Sequence, residues 1–182
     1  MTGQPRLMAK KWYDTDILKE RLEEYIEAEK DIDNQIERLE HLNSKLEGLG
    51  AQVLTDMPRS PSTTTDKMGE MYSRIEELDS VIRGMIKDHD EEKKWIEFIL
   101  RHVRKANERA VIRMKYIDQE AWKPITEMLF GALEDYEEKY ESYLRRAHFI
   151  HGSALVSMAE FIELSGDQNM AAYIAEKQQP YI

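Results

Sequence analysis

Two adjacent arginines, Arg145 and Arg146, stand at the head of an apolar run that continues to Leu155, and a basic block lies upstream of them. Residues 101–123 hold Arg101, Arg104, Lys105, Arg109, Arg113, Lys115 and Lys123 against only Glu108, Asp118 and Glu120. A guanidinium fork fits the two acceptors of guanine, O6 and N7, whereas an ammonium near a phosphate acts mostly as a point charge. The chemistry these residues offer is anion recognition on one face, with double-stranded DNA as the polyanion that fits it. The rest of the chain is acidic, with a formal net charge of −10, so the expected contact is local rather than a coating of nucleic acid.

Other chemistries find less support. The absence of cysteine removes disulfides, Cys-ligated zinc, iron–sulfur clusters and thiol catalysis together. His148 and His151 are spaced i, i+3 on one helix, close enough to share a metal, but no third or fourth ligand accompanies them and no metal site is assigned. Glycine-rich phosphate loops, nucleophile elbows and paired-carboxylate motifs are missing, so the expected protein is not an enzyme and takes no cofactor.

Whatever holds these residues must be helical. In 182 residues, 41% are apolar and 34% charged, with only 8 Gly and 5 Pro. That is too apolar for a disordered chain and too poor in turn residues for a β-sandwich or barrel. No run approaches a membrane span, so a cytoplasmic protein is expected. Apolar side chains recur every three or four residues at Leu18, Leu22, Tyr25, Ile26, Ile32, Ile36, Leu39, Leu42, Leu46, Leu49 and Val53. Thirty-six such residues would span roughly 54 Å with one narrow stripe. A linker at 55–66 with two prolines and a Ser/Thr/Asp cluster follows. A second stripe then runs through Met68, Met71, Ile75, Leu78, Ile82, Met85, Ile86, His89, Ile96, Ile99 and Val103. Two stripes joined this way predict a coiled-coil-like antiparallel helical hairpin, with core filling the simplest use of its methionines.

Past the hairpin, 109–117 reads as a basic helix and 118–120 as a polar break. The segment 121–130 reads as a short helix with Pro124 in its first turn and Gly131 at its end. An acidic stretch over 134–141 precedes a further helix from Ser142 to Leu155. Helix, turn and helix with arginines early in the last helix is the layout of a major-groove reader.

These residues resemble a known family. The linker Asp56-Met57-Pro58-Arg59-Ser60-Pro61 with Asp66-Lys67-Met68 and the block Arg113-Met114-Lys115-Tyr116-Ile117 are the first part of the likeness. Trp122 with Ile125, Tyr143-Leu144-Arg145-Arg146 and Ile150-His151-Gly152-Ser153-Ala154-Leu155 complete it. The chain resembles, over about residues 20–160, phage-encoded RinA/ArpU-like late transcriptional regulators, which join a helical hairpin to a domain similar to region 4 of sigma-70 factors. The resemblance implies base reading by Tyr143, Arg145 and Arg146, and a motif core of Trp122, Ile125, Leu129 and Phe149. Arg109, Arg113, Lys115, Lys123 and His148 are the expected phosphate contacts. The departure from the pattern is the connection between Phe130 and Ser142, longer than the three or four residues of a minimal turn and rich in acid.

The expected protein is therefore all-α: a hairpin over 1–106, a helix-turn-helix domain over 107–164 and a tail over 165–182. Its expected role is a phage or prophage DNA-binding regulator, an activator in the bacterial cytoplasm. Host RNA polymerase is a second partner and a homodimer through the hairpin a third, with no membrane involved. The competing expectation is an acidic helical protein that binds and inhibits a host protein, the helix-turn-helix serving only as scaffold.

Overall fold

A computed structural model of the chain describes residues 15–51 and 63–177; most of the proline linker and Trp12 lie outside them. Every regular element among the described residues is helical: α1 (Thr15–Ala51), α2 (Thr63–His102), α3 (Ala106–Ile112), α4 (Trp122–Phe130), α5 (Tyr140–Ser165) and α6 (Gln168–Lys177). α3 runs directly into a turn of π-helix at Arg113–Ile117, where the Asp118 N–H reaches back five residues to the Arg113 carbonyl at 2.9 Å. None of these helices is long and apolar enough to cross a membrane.

The chain forms two compact units: Glu24–Lys94, and the chain on either side of it. In Glu24–Lys94, α1 and α2 run antiparallel. The Tyr25 ring stacks on His89 with centroids 4.2 Å apart and planes 10° off parallel. Ile32 and Ile82 are buried, while Ile36, Leu39, Met71, Ile75 and Leu78 stay partly exposed. Burial raises the Tyr25 phenol to about 12, with Glu29, Asp90 and Glu92 adding to the rise. Exposed pairs such as Arg83–Asp79 at 2.8 Å and Lys30–Glu27 at 2.6 Å support the helices by a few tenths of a kcal/mol each, about 0.2–0.5.

The second unit holds most of the core: Leu18, Leu22, Ile96, Ile99 and Leu100 from the long helices, with Val111, Ile112, Tyr116, Ile125, Met158, Ile162 and Met170. The expected boundary at 106 is thus corrected. The ends of both long helices belong with the C-terminal elements, because their stripes face helices approaching from several sides. The expected tail over 165–182 holds α6, which packs into this unit. Met170 is fully buried, and the Arg21 guanidinium lies 3.6 Å from the centre of the Trp95 ring with Nη1 3.7 Å from Met170 Sδ. Asp167 Oδ1 accepts from Trp95 Nε1 at 3.2 Å and from the Met170 N–H at 2.7 Å, capping α6.

Two glycines mark helix ends for different reasons. Gly166 takes φ 62° and ends α5 in a Schellman turn, with Asp167 N–H on the Ile162 carbonyl and Gly166 N–H on Glu163. Gly131 keeps a right-handed conformation but would set any Cβ 2.6 Å from the Glu127 carbonyl oxygen. Close approach, not conformational freedom, selects glycine there.

Candidate nucleic-acid interface

α2 stops at His102, and α3 begins after Lys105 in an extended conformation. Arg109 Nη1 donates to the carbonyls of Val103 at 2.7 Å and Arg104 at 2.9 Å, satisfying acceptors where the chain leaves α2. Arg113 grips Glu97 with both arms of its fork, Nε to Oε1 at 2.9 Å and Nη2 to Oε2 at 2.6 Å. These two arginines, expected as phosphate contacts, use those guanidinium hydrogens to close contacts within the fold.

Beside them lies the one acid of the 101–113 basic run. Glu108 is 2% exposed, accepting at Oε1 from Lys105 Nζ (2.7 Å) and Ser153 Oγ (2.6 Å), and at Oε2 from Ser157 Oγ (2.9 Å). Burial pushes its carboxyl up, but the three hydrogen bonds and the Lys105 charge outweigh that and leave it below the ordinary value. The only trace of this in the chain is the i, i+4 spacing of Ser153 and Ser157 on α5, which puts two hydroxyls on one face.

The remaining expected contacts gather around aromatic rings. Lys115 Nζ lies 5.6 Å over the Trp122 ring and His148 packs on the same ring with centroids 3.9 Å apart. His151 meets Trp122 edge-on and sits 3.0 Å by Nε2 from the Tyr116 hydroxyl. Burial drives the His151 imidazole down to about 4, helped by Lys19, His148 and Lys115, so it is neutral near pH 7 and the Tyr116 hydroxyl is placed to donate to it. Burial also raises the Tyr116 phenol. Both histidines thus meet the Trp122 ring, and among the described residues no group of three or more His, Asp or Glu could hold a metal. Lys123 is exposed at the start of α4.

On α5 the other expected residues separate. Tyr143, an expected base reader, stacks on Phe130 at 5.0 Å and donates its hydroxyl to Asp135 at 2.7 Å. Arg146 is exposed with its guanidinium 5.3 Å over Phe130, and Arg145 is exposed on the next turn face. Phe149 is 75% exposed, which corrects its place in the motif core. α5 runs unbroken for 26 residues, so its phase is set by Ala147, Ala154 and Met158 facing inward, and Phe149 then points out. The other three expected core residues do turn inward: Ile125 is fully buried, and Trp122 and Leu129 pack against Phe130, Tyr136 and Ala147.

Nine residues, 131–139, separate α4 from α5. Successive turns fold this segment back, with Leu133 N–H on Phe130 and Tyr136 N–H on Leu133, and they bury Tyr136 under α5. The acidic stretch is therefore an anchored turn, longer than a minimal helix-turn-helix connection. No protein-family model, curated protein or solved structure matches this chain.

Proposed function

We propose that the chain binds double-stranded DNA through α4, the π turn and the first half of α5, and that it acts as a phage-type transcriptional regulator of the kind its sequence resembles. The observation that carries this reading is the set of basic side chains brought to the two aromatic rings at the ends of α4. Lys115 and His148 lie on Trp122, and Arg146 lies over Phe130. Two elements supply them, the π turn and α5, and Lys123 stands exposed on α4 next to Trp122 in the chain. Arg146 is the base-reading arginine of this proposal; Lys115, Lys123 and His148 hold phosphates. Host RNA polymerase remains the proposed protein partner. An inhibitor of a host protein is the second reading, favoured by Leu164 at 87% exposure and Phe98 at 47% on a chain of net charge −10.

Fluorescence anisotropy on duplexes selected from a random library, at two salt concentrations, tests the DNA reading. Lys123→Ala should weaken selected and random duplexes alike and lower the salt slope by about one. Arg146→Ala should cost roughly 1–3 kcal/mol on the selected duplex only. Failure to enrich any duplex at low salt removes the DNA reading and promotes the inhibitor.

A further inference from the structure

The exposed face of α5 carries a residue order that is complementary to its own reverse. Arg145, Phe149, Gly152, Val156 and Glu160 are all exposed, and at about 100° per residue they share one stripe opposite Ala147, Ala154 and Met158. Phe149 is 75% exposed and Val156 38%. About the midpoint between Gly152 and Ser153, Phe149 is the counterpart of Val156 and Arg145 the counterpart of Glu160. We propose that α5 pairs antiparallel with α5 of a second copy of this chain, across a two-fold axis at Gly152–Ser153.

Charge selects this arrangement. Arg145 is the one base of the stripe and Glu160 its acid, with further carboxylates one turn outside each, Glu141 before Arg145 and Glu163 beyond Glu160. An antiparallel pair sets Arg145 of each copy against Glu160 of the other, twice by symmetry, whereas a parallel pair sets like against like. A two-fold contact must be self-complementary, and this order meets that condition. Shape agrees. Gly152 has no atom within 4 Å of where a Cβ would stand, so nothing in its own fold requires glycine, yet a bare backbone at the crossing point lets two helices approach closely. Beside the stripe, a pocket of about 360 Å³ opens between Lys105–Glu108 and the Phe149, Ile150 and Ser153 side chains, giving the face a hollow as well as the Phe149 projection. The seam gathers the apolar Phe149 and Val156 at the centre and charges at its ends, as stable interfaces do. Arg145 is thereby assigned to this contact and not to a base, on a stripe between Arg146 and His148, and sedimentation without DNA tests it apart from the DNA reading.

Sedimentation equilibrium of the full chain over the micromolar range is the test. The wild type should show twice the 21.5 kDa chain mass. Arg145→Glu and Glu160→Arg alone should each weaken the dimer by roughly tenfold or more, because each reversal acts at two symmetric places. An equimolar mixture of the two variants should restore the dimer, since every reversed group then meets an opposite charge. Phe149→Asp should be monomeric with unchanged helical circular dichroism, the side chain being exposed. A wild type that stays monomeric overturns the proposal. So does a dimer indifferent to both reversals, or a mixture no tighter than its components.

Discussion

Glu24–Lys94 and the unit formed by the chain on either side of it are built from the same kind of amphipathic helix, yet they bury it to different depths. In Glu24–Lys94 the buried apolar residues are Tyr25, Ile32 and Ile82; in the other unit they number twenty among the described residues. Two helices side by side share a single seam, and each stripe residue keeps a flank in water. Where helices approach from several directions, the same stripe is covered all round. Periodicity is therefore a guide to which face is inward and a poor guide to how dry that face becomes.

The largest expected effect follows from that contrast. Met158→Asp places a charge among fully buried side chains and should abolish cooperative folding, whereas Ile82→Asp should lower the helical signal and the midpoint while leaving a cooperative transition. Urea titration followed by circular dichroism compares them, and equal losses in the two variants would erase the distinction between the units.

A smaller effect is expected at Glu108. Glu108→Ala leaves Ser153 and Ser157 without their acceptor and should cost about 1–3 kcal/mol, more than Glu→Ala at the exposed Glu76 of the hairpin. Matching unfolding midpoints for the two variants would mean that the buried carboxylate contributes no net stability.

The smallest effect is in pH dependence. His151 is held down to about 4 in the fold against 6.5 for a free imidazole, so between those values the unfolded chain binds the extra proton. Stability should fall as pH drops through that window, and His151→Gln should flatten the slope. Glu108 acts in the same direction lower down, its stabilisation present above its unfolded value and lost as pH falls through its depressed folded one. Thermal melts from pH 7 to pH 4 on both chains check this; parallel slopes would dissociate His151 from the effect.

The all-α class, the two long helices and the short helix ending at Phe130 were legible in the chain because each rests on local spacing and on the scarcity of Gly and Pro. The inward place of Ile125 came from the resemblance, and Ile125 is buried. The roles of individual arginines were not legible. Arg109 and Arg113 look like free cations until Val103, Arg104 and Glu97 are brought to them, and nothing in the spacing of residues 97 and 113 announces a two-armed ion pair. Phe149 was misplaced because an apolar residue amid Ala147 and Ile150 fits an inward face until the phase of all of α5 is known.

Local propensity and periodicity are properties of neighbours along the chain, so the order of residues was enough to make the helices and to mark their apolar sides. Burial of Glu108, neutrality of His151, capture of Tyr143 by Asp135 and exposure of Phe149 depend on which elements meet. Those meetings join residues far apart in the chain, 49 positions in the case of Glu108 and Ser157. Desolvation and hydrogen bonding act through space, and so the chemistry of this protein's charged groups was decided only when α3, α4 and α5 came together.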